Sequence, residues 1–445
     1  MEFIISGDSL FSSNQLIKTI DPALVSKLKQ ADAVFTNAEF ITPRLGTAPA
    51  AGRGYQTSVR PKLLDEFIDL NINYVSFANN HTGDYGIEGI LDTLSEARSR
   101  GIVPLGVAEN LYDARKPVFI NHQDCRIAII TIDVTRSEVF AAVDARNGIA
   151  ARPGVNPLRW NRKYVVSEED LKTLEEISKR IGIHQSMVTA KKVELWKEQD
   201  TQTQLDFGSF YEGYLSFIHG EEPRVATSAK IEDFDAIISS IKDAKNRSDF
   251  VFVNLHTHEG ENEDWYSDYV PDFIEEFSHE AVDAGANVVF GHGAHFTRGI
   301  KLYKEGIIFY NLGSLLMEFE AGESLLSAEM NEAYGYPTDE PPSTLHKNRV
   351  KNENGNWHGF YSDPKFSQNF IVSFQLQREQ PTLDFEMIPI DLQLTNEFVT
   401  KRGLPVIADD HAKKELIDRL NAISNKRYHT EIYEKNRVLK VRKIN

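Results

Sequence analysis

The chain has 445 residues, of which 41% are hydrophobic and 26% are charged, a composition typical of a soluble globular protein. Its formal net charge of −17 at pH 7 excludes a strongly basic surface and therefore argues against nucleic acid as a partner. The single cysteine, Cys125, excludes an intramolecular disulfide and a zinc site built from cysteines.

No apolar run reaches the roughly 18 residues that a membrane span needs. The chain opens with MEFIISGD, which has the pattern of a strand and its loop rather than of a secretory signal. We therefore expect a cytoplasmic protein with no membrane span.

Strand and helix signals alternate along residues 1–133. The apolar runs FIIS, AVFT, YVSFA and RIAIITI predict strands. Between them, PKLLDEFIDLN carries Pro61 in its first turn, and a second helical pattern runs from Ile87 to Arg100. Short apolar runs separated by helical segments are typical of βαβ units. We expect this region to form the first part of an α/β core.

The pattern changes between residues 134 and 229. The capping sequence SEED begins a helix from Ser167 to Arg180. A polar helical stretch, AKKVELWKEQDTQTQ, and the aromatic segment FGSFYEGYLSF follow. We interpret residues 134–229 as a mainly helical insertion and a candidate lid over the functional site.

The α/β rhythm resumes in residues 230–400 with the helix IEDFDAIISSIKDAK and the strands FVFVNL and NVVFG. Four later runs, GIKLY, GIIFYNLGS, NFIVSFQL and LDFEMIPI, alternate as strands do and predict a second sheet packed on the first. Residues 401–445 are expected to form a C-terminal helix, from about Asp409 to Lys426, and a basic tail.

Seven polar side chains follow apolar, strand-like runs at turns, where open α/β sheets hold their ligands. Five are histidines and two are carboxylates: Asp8, Glu39, His81, His256, His258, His292 and His295. A single histidine in such a place is usually an ordinary surface or core residue. Seven residues at five strand ends together predict a metal site.

A site for two divalent metals needs imidazole and oxygen ligands from several strands, and a carboxylate that bridges the ions. The candidate ligands are Asp8, Glu39, Asn80, His256, His292 and His295. In the Asn79-Asn80-His81 step, the amide oxygen is free to bind a metal while His81 faces the substrate as an acid. Asp84 in the following turn completes the candidate catalytic pair. Mn, Fe, Zn and Mg all suit such ligands.

Gly7-Asp8-Ser9-Leu10 is also the opening of GDSL esterases, in which the serine is the nucleophile. That chemistry needs a histidine base, which in those enzymes follows an aspartate three residues earlier. No histidine of this chain has an aspartate at that position, and the Gly-x-Asn-Asp oxyanion motif is missing. A serine esterase therefore stays a minor alternative.

The motifs together resemble the CapA capsule-synthesis (poly-γ-glutamate biosynthesis) proteins of the calcineurin-like metallophosphoesterase superfamily. They occur in the family's order: Gly7-Asp8, Asn37-Ala38-Glu39, Asn79-Asn80-His81 with Asp84-Tyr85-Gly86, Leu255-His256, Gly291-His292 with His295, and Phe309-Tyr310-Asn311-Leu312-Gly313. The resemblance implies a four-layer α/β/β/α sandwich.

The resemblance also implies roles for the site residues. Asp8 and His295 would hold one metal, and the other would be held by Asn80, His256 and His292, with Glu39 as the bridge. His81 would be the general acid or would stabilise the transition state. A water molecule between the metals would be the nucleophile, with its pKa lowered by the ions.

The chain departs from the superfamily pattern at three points. Leu10 replaces the histidine of Asp-x-His, Asn37-Ala38-Glu39 replaces Gly-Asp-x-x-Asp, and His256-Thr257-His258 replaces His-Trp-Gly. His258 is therefore an additional candidate ligand.

Two functional classes follow. The first is a hydrolase in which metal-bound hydroxide attacks a phosphoester or a γ-glutamyl-type amide of a small or polymeric anionic substrate. Arg53, Arg60 and Arg298 are candidate clamps for that substrate. The second is a non-catalytic capsule or polymer assembly protein that keeps the fold.

Overall fold

The computed structural model describes residues 1–52, 56–196, 204–318, 328–379, 383–435 and 438–444. The strands in these ranges are β1 (Glu2–Leu10), β2 (Ala33–Ala38), β3 (Tyr74–Ser76), β4 (Val103–Leu105), β5 (Val107–Ala108), β6 (Val118–Asn121), β7 (Arg126–Asp133), β8 (Gly154–Val155), β9 (Trp160–Val166), β10 (Gln204–Ser209), β11 (Gly213–His219), β12 (Arg224–Ala229), β13 (Phe250–Thr257), β14 (Val288–Gly293), β15 (Ile300–Tyr303), β16 (Gly306–Phe309), β17 (Ser314–Met317), β18 (Gln368–Gln375), β19 (Asp384–Asp391), β20 (Val406–Ile407), β21 (Thr430–Lys435) and β22 (Val438–Lys443).

The helices are α1 (Leu16–Thr19), α2 (Pro22–Gln30), α3 (Asp65–Asp69), α4 (Gly86–Ser99), α5 (Leu111–Arg115), α6 (Ser137–Phe140), α7 (Glu168–Arg180), α8 (Ile183–Val193), α9 (Ile231–Arg247), α10 (Asp272–Asp283), α11 (Ala328–Ala333), α12 (Pro342–Val350) and α13 (Asp410–Tyr428). Within the ranges that the structure describes, none of them has the length and apolar character needed to cross a membrane.

Two large sheets form the centre of the molecule. In the ten-stranded sheet the order is β21-β22-β19-β18-β1-β2-β3-β4, with β17 also paired to β1 and β20 to β19. In the six-stranded sheet the order is β15-β16-β14-β13-β7-β6. Strands β1 to β4 run parallel, as do β7, β13, β14 and β16. Their carboxyl ends therefore lie along one edge of each sheet.

The two sheets pack face to face through aromatic side chains. The rings of Phe3 and Phe252 lie 5.0 Å apart in an edge-to-face arrangement. Phe35 and Phe290 repeat that geometry at 5.0 Å. Because these pairs join β1 and β2 to β13 and β14, they fix the distance between the sheets beneath the candidate site.

Helices cover the outer face of each sheet. Apolar side chains of α2, α3 and α4 pack on the ten-stranded sheet, and those of α9 and α10 pack on the six-stranded sheet. The order of layers is thus helix, sheet, sheet, helix, which confirms the predicted four-layer α/β/β/α sandwich.

The late strands divide between the two sheets instead of forming one of their own, which corrects the prediction. β15 and β16 extend the six-stranded sheet, whereas β18 and β19 lie in the ten-stranded sheet beside β1. The alternating pattern predicts that a segment is a strand, but it does not indicate which strand is its neighbour. The pattern of residues 300–391 therefore predicts the elements without their pairing.

The C-terminal segment is more ordered than a helix followed by a basic tail. After α13, the hairpin β21–β22 forms one edge of the ten-stranded sheet. Leu439 is buried while its neighbour Lys440 reaches Asp384 at 3.0 Å. The basic residues of the tail thus occupy the polar face of an alternating strand, and their charge masked that alternation in the sequence.

The insertion contains the predicted helix α7, whose first turn is capped by the Ser167 side chain. It also contains a four-stranded sheet of order β10-β11-β9-β12, which the prediction of a mainly helical insertion did not include. The aromatic segment FGSFYEGYLSF supplies part of the hairpin β10–β11. Aromatic side chains favour strands, so the aromatic content of this segment already indicated a β-hairpin rather than a helix. Residues 197–203 of the predicted polar helix lie outside the described residues.

Candidate metal centre

The carboxyl ends of β1 and β2 meet those of β13 and β14 where the two sheets face each other. Asp8 on β1 pairs in register with Asn37 on β2, and His256 on β13 pairs with His292 on β14. The backbone N–H of Gly293 donates to Asp8 Oδ2 at 2.7 Å and joins the two edges. The fold therefore brings residues from distant parts of the chain to one buried point.

Gly7 is required locally because of the way β1 ends. The Asp8 backbone N–H donates to the Gly313 carbonyl at 3.1 Å. A Cβ on Gly7 would lie only 1.8 Å from that same carbonyl oxygen. Since no side chain fits there, a glycine before Asp8 allows the strand to pass close to the turn that precedes β17.

Asp8, His256 and His292 form the first group of three ligand-type side chains. The Nδ1 atom of His292 lies 3.0 Å from both Asp8 Oδ1 and His256 Nδ1. Asn37 donates to Asp8 Oδ1 at 2.9 Å, and Asn254 Oδ1 lies 3.0 Å from His292 Nε2. The two asparagines thus orient a carboxylate and an imidazole from behind.

Glu39 joins two further groups of the same kind. With His256 and His258 it forms one group, in which its Oε1 lies 3.9 Å and 3.3 Å from their Nε2 atoms. With Asp8 and His295 it forms another, in which its Oε2 lies 3.6 Å from His295 Nδ1. Glu39 therefore belongs to two of the three groups, as do Asp8 and His256.

The surroundings of the cluster favour the protonation states in which its side chains can bind a metal. Burial lowers the pKa of His256 and His258 well below the ordinary value of 6.5, and neighbouring imidazoles add to the effect. Burial opposes ionisation of Asp8, but hydrogen bonds and attraction from His292 and His295 outweigh it and hold its pKa well below the ordinary value. Neutral imidazoles and an ionised carboxylate are the forms that bind divalent metals.

Glu39 is the residue that fits a bound cation most clearly. Burial raises the pKa of Glu39 well above its ordinary value, and repulsion from Asp8 and Asp133 adds to the rise. Its Oε2 atom is buried and accepts no hydrogen bond from any residue that the structure describes. A buried carboxylate oxygen without a donor is costly, and a cation at the cluster would supply its missing partner.

Asn80 and His81 lie beside the cluster, as predicted. Asn80 Oδ1 is 2.8 Å from His256 Nε2, so the amide oxygen faces the same nitrogen that Glu39 approaches. The Nδ1 atom of His81 contacts Asp84 Oδ2 at 2.7 Å, and Asp84 is fully buried. His81 and Asp84 therefore form a pair in which the carboxylate fixes the imidazole.

The three arginines that were predicted to bind the substrate lie in different surroundings. Arg298 is buried, and its guanidinium donates to the carbonyl oxygens of His258, Glu259, Trp265 and Ser267 at 2.7–3.1 Å. Arg298 therefore braces the loop that carries His258 and does not clamp a substrate, which corrects the prediction. Arg60 is exposed just before a short helical turn that begins at Pro61, and Arg53 lies outside the described residues.

Two carboxylates near the centre were not among the predicted site residues. Asp133 pairs in register with His256 across the parallel strands, so both side chains leave the same face of the sheet. Its two oxygens are buried, and no described side chain donates a hydrogen bond to them. Glu259 follows His258 and accepts hydrogen bonds from Thr135 and Thr257 at 2.6 and 2.8 Å. Asp133 ends the apolar run RIAIITI, so the strand-end rule applied to Asp8 also covers it.

Ser9 does not have the surroundings of a nucleophile. Its hydroxyl shares a 2.7 Å hydrogen bond with Thr36 and is fully buried. Among the residues that the structure describes, no histidine hydrogen-bonds to that hydroxyl. The Gly-Asp-Ser-Leu match therefore reflects the metal-type strand end at Asp8 and gives no support to a serine esterase.

Comparison with known sequences identifies the family. The family described as bacterial capsule synthesis protein PGA_cap matches residues 12–318, which is more than half of the chain. The chain belongs to this capsule synthesis protein family. The match confirms the resemblance predicted from the motifs, and it covers Glu39, the Asn-Asn-His step and all four histidines of the cluster.

Several proteins are similar to this chain over much of its length. An uncharacterised protein of Sinorhizobium fredii is 25% identical over 410 residues, which cover 90% of this chain and 84% of that protein. The capsule biosynthesis protein CapA of Bacillus anthracis is 23% identical over 268 residues, which cover 60% of this chain and 46% of that protein. A probable polyglutamine synthesis accessory protein of Mycobacterium tuberculosis is 23% identical over 272 residues, with coverages of 61% and 52%.

A solved structure of a novel phosphatase from Mycoplasma pneumoniae aligns with this chain at a TM-score of 0.37 and 11% identity. The alignment covers 88% of this chain and 93% of that one.

Proposed function

We propose that this member of the capsule synthesis protein family is a metal-dependent hydrolase with a centre for two divalent cations. One observation carries the proposal: six buried imidazoles and carboxylates form three overlapping groups of ligand-type atoms, and two of these groups share Glu39, whose Oε2 accepts no hydrogen bond from a described residue. The ligand groups are built from Asp8, Glu39, His256, His258, His292 and His295, with Asn80 beside them. Mn, Fe, Zn and Mg suit this donor set.

The proposed reaction is hydrolysis of a phosphoester or of a γ-glutamyl-type amide. The bound cations would supply Lewis-acid activation of a water molecule and of the substrate oxygen. The water oxygen forms a bond to phosphorus or to the acyl carbon, and the P–O or C–N bond breaks. The leaving oxygen or nitrogen needs a proton as it departs.

His81 is the proposed donor of that proton. Asp84 contacts its Nδ1 atom at 2.7 Å, and Nε2, which lies 3.5 Å from the Thr57 hydroxyl oxygen, is the proposed proton-donating atom. The buried Asp84 carboxylate holds the imidazole ring in one orientation through the Nδ1 contact. A positioned general acid of this kind contributes about 10²–10⁴-fold to a rate.

The biological setting that we propose is capsule or poly-glutamate metabolism. This follows from membership of the capsule synthesis family and from relatives named for capsule and polyglutamine synthesis. Since the chain spans about half the length of those named relatives, their full activity is not assumed for it. The substrate itself is proposed to be a small or polymeric anion.

Metal content and hydrolysis, measured on the same samples, test the proposal. We expect about two divalent ions per chain in the wild type, and loss of metal and hydrolysis together in Asp8→Asn and His292→Ala. His411→Ala removes an exposed histidine on α13 and serves as the matched control. The substrate panel contains p-nitrophenyl phosphate, bis-p-nitrophenyl phosphate and γ-glutamyl-p-nitroanilide. A wild type that binds no metal after reconstitution would refute the proposal.

A second candidate is a non-catalytic assembly protein that keeps the fold. The observation that favours it is the description of one relative as an accessory protein in polyglutamine synthesis. Leu10 agrees with it, because an apolar side chain stands where the superfamily pattern has an imidazole. Full metal occupancy without turnover of any member of the panel would favour this candidate over the hydrolase.

A further inference from the structure

A cavity of about 450 Å³ lies between the insertion and the core, next to the metal centre. Its walls include Trp160 and Arg162 of the insertion strand β9 and Glu259 and Trp265 of the loop after β13. The Trp265 ring packs on the His258 imidazole with centroids 4.8 Å apart. Trp265 therefore contacts a candidate metal ligand while it also forms part of the cavity wall, so the cavity and the metal centre are direct neighbours.

Arg136 is the cation that the cavity presents to a ligand. Its guanidinium carbon lies 5.8 Å from the centre of the Trp265 ring, and the residue is exposed. Among the described residues, no carboxylate pairs with it. Arg162, the other arginine of the wall, already pairs with Glu263. Arg136 also has a left-handed backbone with φ of 55°, and a non-glycine residue held in that conformation is frequent at ligand sites.

Three carboxylates line the same space, and one of them, Glu263, is already paired with Arg162. Glu138, two residues after Arg136, lines the cavity and is exposed. Glu259 lines it from the core side, and one of its oxygens is held by the hydroxyls of Thr135 and Thr257. Because these carboxylates outnumber the one unpaired arginine, the cavity repels a polyanion such as a phosphate chain. A group that carries both charges fits it better.

We propose that this cavity binds the free α-amino-acid group of the substrate. The α-carboxylate pairs with Arg136, the ammonium with Glu138 and Glu259, and the carbon chain lies on the Trp265 ring. The proposal rests on the proposed hydrolase function, because it assigns this cavity as the substrate subsite beside the metals. It predicts substrates with an unblocked amino-acid end, such as a terminal γ-glutamyl unit.

Isothermal titration calorimetry with L-glutamate tests the subsite without any need for turnover. We expect L-glutamate to bind both the manganese-loaded and the metal-free wild type. Arg136→Gln should weaken binding at least tenfold, because an arginine–carboxylate pair is a charge-assisted contact. Glu138→Gln should weaken it severalfold. Arg146→Gln removes an exposed arginine of the same segment outside the cavity wall and should bind as the wild type does.

Three further probes distinguish binding in the cavity from binding at the metals. N-acetyl-L-glutamate lacks the ammonium, and isoglutamine lacks the α-carboxylate, so both should bind at least tenfold more weakly than L-glutamate. Inorganic phosphate should bind only when manganese is present. Binding of L-glutamate that vanishes without metal, or that Arg136→Gln leaves unchanged, would overturn the proposal. If the binding pattern holds while no substrate is hydrolysed, the proposed function fails and the subsite remains.

Discussion

Replacing Glu39 by glutamine should stabilise the metal-free protein and abolish its response to metal. Burial raises the pKa of Glu39 well above the ordinary value of 4.5, so ionisation at neutral pH costs stability when no cation is present. Glutamine keeps the shape and removes the charge. If Glu39 is a metal ligand, the metal-free variant should be more stable than the metal-free wild type. If Glu39 stabilises the fold through its own contacts, the variant should be less stable.

The expected size follows from general magnitudes. An unpartnered buried polar group costs on the order of 1–3 kcal/mol. Unfolding entropies of about 2.1 cal/mol/K per residue give about 0.9 kcal/mol/K for 445 residues. The metal-free Glu39→Gln protein should thus melt about 1–3 °C above the metal-free wild type.

With manganese bound, the wild type should melt at a higher temperature than Glu39→Gln, which reverses the order expected without metal. At a free concentration about 100 times Kd, one site stabilises by about 2.7 kcal/mol, which is about 3 °C here. The wild type should show at least this increase in melting temperature, and Glu39→Gln should show almost none.

Differential scanning calorimetry between pH 4 and pH 8, with chelator or with manganese, measures both effects. The sign of the pH dependence is fixed by the raised pKa of Glu39. Stability that is present below the ordinary value of 4.5 is lost as the pH rises toward the folded-state pKa, so the variant's advantage should grow with pH. Glu353→Gln, at an exposed glutamate, is the control. A variant that melts lower without metal and still responds to manganese would refute the assignment of Glu39 as a metal ligand.

Four other predictions follow from particular contacts. His81→Gln and Asp84→Asn should each lower kcat by about 10²–10⁴-fold with unchanged metal content, measured by steady-state kinetics and elemental analysis; loss of metal would contradict the assigned role. Asp133→Asn should raise the free energy of unfolding of the metal-free protein at pH 7 in urea titrations, because burial raises the pKa of that carboxyl well above its ordinary value; a decrease would show that its charge is stabilising. Arg298→Met should destabilise the protein by about 2–4 kcal/mol and weaken metal binding, because four carbonyls of the loop beside His258 lose their donor; unchanged metal affinity would show that the loop does not position His258. Lowered pKa values of His256 and His258 mean that the metal-free Glu39→Gln/Asp133→Asn protein, in which neither raised carboxyl pKa opposes the trend, should lose stability as the pH falls below about 6.5, where unfolded histidines take up protons; a flat profile from pH 7 to pH 5.5 in that variant would contradict it.

The strand-end positions were the strongest signal in the sequence. Asp8, Glu39, His256 and His292 each follow an apolar run, and parallel strands bring such positions to one edge. The ligand-type cluster could therefore be predicted from residue spacing alone. What spacing cannot give is which oxygen faces which nitrogen. Asp8 contacts His292 at 3.0 Å and His295 at 3.4 Å, so it is shared between groups that the resemblance assigned to separate metals.

Other features depend on contacts that a linear pattern does not encode. Arg298 is an arginine close to the site motifs in the sequence, which is why it was predicted to bind the substrate. In the structure its guanidinium instead contacts backbone carbonyls of a loop some 30–40 residues earlier in the chain. The cavity beside His258 is lined by residues of both the insertion and the core, which are far apart in the sequence. Its combination of charged side chains is therefore visible only in the folded structure. The pairing of the strands after residue 300 could not be predicted for the same reason, because an alternating pattern does not specify which strand is the neighbour.

The most direct test of the metal centre is anomalous X-ray diffraction from crystals grown with manganese, measured above the manganese edge. We predict two peaks between the sheets, one within about 2.0–2.3 Å of Asp8 and His292 and the other at a similar distance from Glu39 and His258. Absence of anomalous density at this cluster in a manganese-soaked crystal, or density only at surface carboxylates, would contradict the proposed centre.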